Sequence, residues 1–280
     1  AALAHTVYRN PAVRPMCDVD LLVQEQDVPT ALDCCKALKY ETCDREAHAG
    51  DTLTYENEIM LRKPETVNAV LELHWSLFDS PYYQAQLPME WFWETAQSVT
   101  IEGITTRILG TEAQILHLCG HLALHHGHGT QLSWHWLYDI AALVMHPGTQ
   151  LDWTILLQKA QAFDLVLSLR RVLKEVDTVW SPPILSAHLT ELNSVEPSAQ
   201  EARIFSWLTA EQRPVLQRFI ADLASTPGWR ARLAYAWHNV FPMPHYMQQR
   251  YHIPHIFLLP LYYPYRWWLG IWSLLRKRQR

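Results

Sequence analysis

Glycine is scarce, 9 in 280 residues, and no G-x-G-x-x-G or G-x-x-x-x-G-K-[ST] pattern occurs. That argues against a phosphate-cradling loop of the dinucleotide-fold or P-loop kind. The 5 cysteines, Cys17, Cys34, Cys35, Cys43 and Cys119, are odd in number and lack C-x-x-C spacing. Neither a disulfide scaffold nor a zinc ribbon follows from them; reduced thiols in a cytoplasmic protein are the expectation. No basic block precedes the last five residues and the net charge is −5, which argues against a nucleic-acid-coating protein; no DNA partner is expected. "AALAHTVYRN", residues 1–10, has neither a charged n-region nor an apolar h-region, so it does not read as a signal peptide. It has the composition of a helix interior, and we expect the chain to begin inside a longer sequence.

What is present suits a folded protein: 49% hydrophobic and 18% charged residues. "CDVDLLV", residues 17–23, alternates with period 2. This places Asp18 and Asp20 on one strand face and Val19 and Leu21 on the other. "DVPTALDCCKALKY" reads as an amphipathic helix with Asp27 as N-cap and Pro29 in its first turn. "LTYENEIMLRK" and "TVNAVLELHWSL" read as strands joined around Pro64-Glu65, and "SVTIEG" and "ITTRILG" as a second pair turning at Glu102-Gly103. "MEWFWETAQSV" reads as a short helix. From Thr111, whose T-x-x-Q pattern resembles a capping box, helical periodicity takes over. Helices are expected near 111–126, 132–145, 151–163, 165–179 and 199–225. The division is therefore α+β, a mixed sheet with flanking helices over 1–110, followed by an all-α domain over 111–240 and an aromatic-rich segment over 241–280.

The acids carry the chemistry. D-x-D alone is a weak signal and also suits an edge strand with one face in water. Glu72 adds to it, because it lies in "AVLELHW" beside the apolar Leu71, Leu73 and Trp75. If the two strands are neighbours, three carboxylates converge. Buried together they would repel and raise one another's pKa unless a cation neutralised them. Oxygen donors suit Mg²⁺ (or Mn²⁺), and such ions clamp the attacking and leaving oxygens of a phosphoryl displacement.

"R-x-x-x-D-V-D-L-L-V", a helix ending in "ALKY" and the later "LELHW" resemble the nucleotidyltransferase superfamily, most closely its bacterial uncharacterised branch. "ILHLCGHLALHH", "LSWHWLYDIAAL" and "FPMPHYMQQRY" extend the resemblance over nearly the whole chain. It implies a nucleotidyltransferase core with Asp18 and Asp20 as metal ligands. Glu72 matches the third acid, which ligates metal or activates the acceptor hydroxyl. Arg14 matches the arginine before the acidic pair, a nucleotide-binding candidate that contacts triphosphate or orients Asp18; a guanidinium fork suits phosphate oxygens. His74, on the Glu72 face, is the second nucleotide-binding candidate. The resemblance implies an NTP substrate, ATP first, and a hydroxyl acceptor whose identity it does not supply. A Gly-Ser or Lys-Gly turn that superfamily members carry before the first helix would lie before Ala1, so the chain is expected to be truncated there.

His117, His121 and His125 fall at i, i+4 and i+8 on one helix stripe. Three roles are open to them: an interface or pocket lining bonded to neighbours such as Asp139, a metal site, or a solvated face. The zincin pattern is incomplete, since Leu118 stands where its Glu would be. Residues 253–275 approach the length of a membrane span but contain Pro260, Pro264 and Arg266. They read as a packed helix-domain segment or as peripheral membrane contact through 253–280. The leading expectation is thus a Mg-dependent nucleotidyltransferase, cytoplasmic with membrane association left open. The alternatives are a catalytically inactive, nucleotidyltransferase-like binding or regulatory protein, and a metallohydrolase built on the histidine helix.

Overall fold

Alternation along residues 18–22 and 70–74 builds the sheet that organises the first hundred residues. A computed structural model describes residues 2–43, 56–64, 70–126, 132–210, 215–226 and 228–277. Among them, helix α1 (Ala2–Thr6) precedes strand β1 (Asp18–Leu22), helix α2 (Val28–Ala37), and strands β2 (Glu41–Thr42), β3 (Glu58–Arg62) and β4 (Val70–His74). The order across the sheet is β1-β4-β3-β2, with β1 parallel to β4 and the other pairs antiparallel. Asp27 is the N-cap of α2 and Pro29 sits in its first turn, although the Asp27 side chain makes no capping hydrogen bond. The loop around Glu65 between β3 and β4 lies outside the described residues.

Because side chains alternate along a strand, each face of the sheet has its own character. Val19, Ile59, Leu61, Leu71 and Leu73 pack with Val28 and Cys35 of α2 into one apolar cluster. Asp18, Asp20, Met60, Glu72, His74 and Glu58 alternate with those residues and so occupy the opposite face. β1 is an edge strand of the sheet. The two aspartates therefore look into an open cleft, with the Asp20 side chain 63% exposed. Of the two settings the D-x-D spacing left open, a buried strand and an edge strand with one face in water, the sheet order gives the edge.

After β4 come helices α3 (Pro81–Gln86) and α4 (Met89–Glu94) and the hairpin of β5 (Gln97–Ile101) and β6 (Ile104–Ile108). Its two-residue turn has φ of 51° at Glu102 and 79° at Gly103, the left-handed pair that matches strand twist. The rest is mostly helical: α5 (Thr111–Leu124), α6 (Trp134–Met145), α7 (Trp153–Ala162), α8 (Val166–Trp180), α9 (Pro183–Ser194), α10 (Ala199–Leu208), α11 (Val215–Ser225), α12 (Trp229–Val240), α13 (Pro244–Tyr251) and α14 (Leu259–Lys277). The large core joins α5 to α8 with Leu3, Phe78, Tyr83 and Phe92, so buried packing runs across residue 110.

Three expectations change. Thr111 is the first helical residue of α5 and Gly110 is the N-cap, so Gln114 stands one position too far for a capping box. Glycine is needed at 110: a Cβ there would meet the Thr95 carbonyl oxygen at 2.5 Å. The expected helix over 199–225 is two helices: α10 ends at Leu208 with Thr209 as C-cap, and α11 begins at Val215; residues 211–214 lie outside the described residues. Conversely, α14 runs through Pro264, the residue read as an interruption.

Candidate functional site

The polar face of the sheet and helix α5 form two walls of a cleft of about 900 Å³. On the sheet wall, the parallel register sets Asp20 directly beside Glu72 and Leu22 beside His74. One ligand atom from each of Asp20, Glu72 and His74 lies within 4.8 Å of the others. His74 Nε2 stands 3.6 Å from an Asp20 oxygen and 3.6 Å from a Glu72 oxygen, beyond hydrogen-bond reach of both, and has no hydrogen-bond partner among the described residues. Asp18 lines the same cleft but is outside this closest group.

β3 adds residues that the sequence did not single out. Glu58 is the antiparallel partner of His74, and its carboxylate lies 3.3 Å from His74 Nδ1. Asn57 Nδ2 donates to Glu58 at 3.2 Å and lies 3.5 Å from the same imidazole nitrogen. Only the register between β3 and β4 reveals them. The local signal, the acids of "ENE", reads equally well as a solvated turn.

Electrostatics separates the acids. Burial, then the neighbouring charges of Asp20 and Glu72, raise the Asp18 pKa. Asp20 moves the other way: interaction with His74 outweighs its partial desolvation. For His74, burial opposes the charge, but Asp20, Glu72 and Glu58 together outweigh it and lift its pKa to about 9. An imidazolium among three carboxylates is thus the favoured form of the metal-free site.

The opposite wall carries His117, His121 and His125 with His126 and Trp136. Burial lowers His117 to about 4 and His121 to about 2, helped by neighbouring positive charge, so both are neutral at pH 7. His121 stacks on His125 at 5.0 Å and lies 5.2 Å from the Trp136 ring. The stripe therefore lines the cleft. Its expected partner Asp139 is engaged elsewhere, holding Arg14 at 2.8 Å and the Tyr8 hydroxyl at 2.6 Å. Arg14 borders the cleft with its Nε and Nη2 committed to Asp139. Among the described residues, the histidine stripe belongs to no converging metal-capable group.

The donor set fits a divalent cation. Two carboxylates converge, a third lies two residues along the strand, and a buried nitrogen without a hydrogen-bond partner points between the first two. A family model described as "Uncharacterised nucleotidyltransferase" matches residues 1–179. No curated protein and no solved structure matches the chain.

Proposed function

We propose that this chain, which belongs to the uncharacterised nucleotidyltransferase family, is a Mg²⁺- or Mn²⁺-dependent enzyme that moves a nucleoside monophosphate from an NTP, ATP first, to a hydroxyl acceptor. The observation that carries the reading is the in-register pairing of Asp20 with Glu72 at the rim of the cleft. Asp18, Asp20 and Glu72 are the residues assigned to hold the cation. When bound there, it would supply positive charge to offset the negative charge that builds on the phosphoryl oxygens and the departing pyrophosphate.

The chain's own groups do the rest. The acceptor oxygen forms a bond to the α-phosphorus as the bond to pyrophosphate breaks, and a cleft carboxylate, Glu72 by position, takes the hydroxyl proton. His74 lies between Asp20 and Glu72, 3.6 Å from each, and offers its imidazole to a phosphate oxygen in the cleft. Arg14 enters as an oriented cation, because Asp139 fixes its guanidinium and leaves further N–H donors for phosphate. The neutral histidine wall and Trp136 offer hydrogen bonds and ring faces, which suit a base or sugar better than a triphosphate. We assign the catalytic unit to residues 1–110, the supporting helices to 111–240 and the aromatic-rich segment to 241–280. The free cysteines suit a reducing, cytoplasmic setting.

The test is label transfer from each of the four α-labelled NTPs with Mg²⁺ or Mn²⁺, using an acceptor mixture and the variants Asp18→Asn, Asp20→Asn and Glu72→Gln. Transfer by the parent and its loss in all three variants is the expected result. Variants as active as the parent would remove the role assignments.

A second reading rests on His74. Its imidazolium neutralises Asp20 and Glu72 internally, so the cleft could hold a nucleotide without turnover, as a binding or regulatory protein would. Calorimetry showing NTP binding by a protein that is inactive on every acceptor would favour it.

A further inference from the structure

Charge is divided unevenly along the chain. No Asp or Glu follows Asp222, yet eight of the 23 Lys and Arg lie beyond it, in a protein whose net charge is −5. Such asymmetry marks a segment built to meet an anionic partner. The same segment carries an exposed apolar face. On α14, Leu261, Tyr265, Trp268 and Trp272 recur at i, i+4, i+7 and i+11, one stripe of a helix, and all are exposed, Leu261 by 69% and Trp268 by 56%. Tyr265, Trp268 and Trp272 stack in sequence, with ring centroids 6.4 and 5.8 Å apart. Just before the helix, Ile256 and Phe257 are also exposed.

On its other side α14 is fastened to the end of α12. Trp267 donates its indole N–H to the Val240 carbonyl at 2.8 Å, and Phe241 packs edge-on to Trp267 at 5.3 Å. This seam brings Trp237 and Val240, both exposed, beside α14. Arg266, the one charged residue of α14 before Arg276, turns inward: it bonds the Asn239 carbonyl and lies over the Tyr246 ring. The outer face is thereby left apolar and aromatic, while "RKRQR" follows at 276–280.

We propose that this face binds the surface of an anionic lipid bilayer, with its tryptophans and tyrosines at headgroup depth and the basic residues on the lipid phosphates. Tyr and Trp, apolar in body and polar at one edge, favour that depth, and basic residues add attraction to anionic lipid. Among the described residues no helix is long and apolar enough to cross a membrane, so the segment lies on the bilayer. Single-stranded nucleic acid would also attract arginine, but the exposed Ile256 and Leu261 have no ring on which a base could stack. The inference is independent of the acidic cleft.

The experiment is co-sedimentation of the full chain with vesicles of phosphatidylcholine alone or with about 30% phosphatidylserine, alongside tryptophan emission. The parent is expected to pellet with the anionic vesicles and shift its emission to the blue. Both effects should weaken at least about tenfold in Leu261→Glu/Trp268→Glu and again in high salt, with the melting temperature unchanged. If the double variant melts early, Phe257→Ser, outside any α-helix, is read instead. A parent that stays in solution with both vesicle types, or a variant that binds as the parent does, overturns the proposal. So does a face needed only for binding a single-stranded RNA oligonucleotide, or only for dimerisation measured by light scattering.

Discussion

Asp139 holds Arg14 in a two-pronged ion pair across 125 residues of sequence, and its first oxygen also accepts the Tyr8 hydroxyl. The segment that delivers β1 to the sheet is thereby tied to a buried position on α6. Removing one partner of such a pair leaves the other groups short of bonds.

Asp139→Asn should therefore destabilise the fold. The Asp139 side chain is 3% exposed and that of Arg14 is 21% exposed, so we expect about 2–3 kcal/mol, slightly below the range for fully buried pairs. Urea denaturation of the parent and variant measures it. A change under about 0.5 kcal/mol, the size of an ordinary surface substitution, would mean that the pair contributes little.

The acidic cleft makes a ligand-dependent prediction. Mg²⁺ or Mn²⁺ at about a hundred times its dissociation constant should stabilise the parent by about 2.7 kcal/mol. Asp20→Asn and Glu72→Gln should lose that gain, and Asp20→Asn should also lower the metal-free melting temperature, since it removes a carboxylate whose charged form His74 stabilises. Thermal melts with and without chelator read both effects. Equal metal stabilisation in parent and variants would show that the cation binds elsewhere.

Glu201 makes the stability depend on pH. Its side chain is buried, one oxygen accepts the Leu167 N–H at 2.6 Å and the other has no hydrogen-bond partner among the described residues. Burial, reinforced by Asp164, raises its pKa from 4.5 to about 7. Between those values the folded state binds more protons than the unfolded state, so this group's stabilisation is complete below pH 4.5 and is lost as pH rises to 7. Glu201→Gln should flatten the stability profile across that window; a profile with the parent's slope would assign the dependence to another group.

Gly120 sets how closely α5 approaches the residues after β4. A Cβ at 120 would come within 2.4 Å of Phe78 Cζ and 2.6 Å of Cε1, and Phe78 is itself fully buried. Gly120→Ala should cost about 1–3 kcal/mol by overpacking and push the histidine wall away from the acids. Denaturation measures the first effect. The second should weaken nucleotide binding beyond what Ala123→Gly, a loosening change on the same helix, produces.

The strand faces were legible because alternation is a property of the backbone. Any strand over 17–23 puts Asp18 and Asp20 on one side, and any strand over 70–74 puts Glu72 with His74. The existence of α5 to α8 was legible from helical periodicity within a few residues at each end. The end of α10 at Leu208 was not legible, because apolar periodicity continues on either side of it.

By itself, the amino-acid order determined which side chains share an element and a face, and hence the α+β division and the grouping of acids within each strand. Folding in three dimensions decided which elements became neighbours. Register alone set Asp20 beside Glu72 and brought Glu58 to His74, and long-range packing gave Asp139 to Arg14 rather than to a histidine. The reason is range. Backbone periodicity acts over a few residues, whereas strand pairing, close helix approach and ion pairs depend on the whole chain burying its apolar faces together.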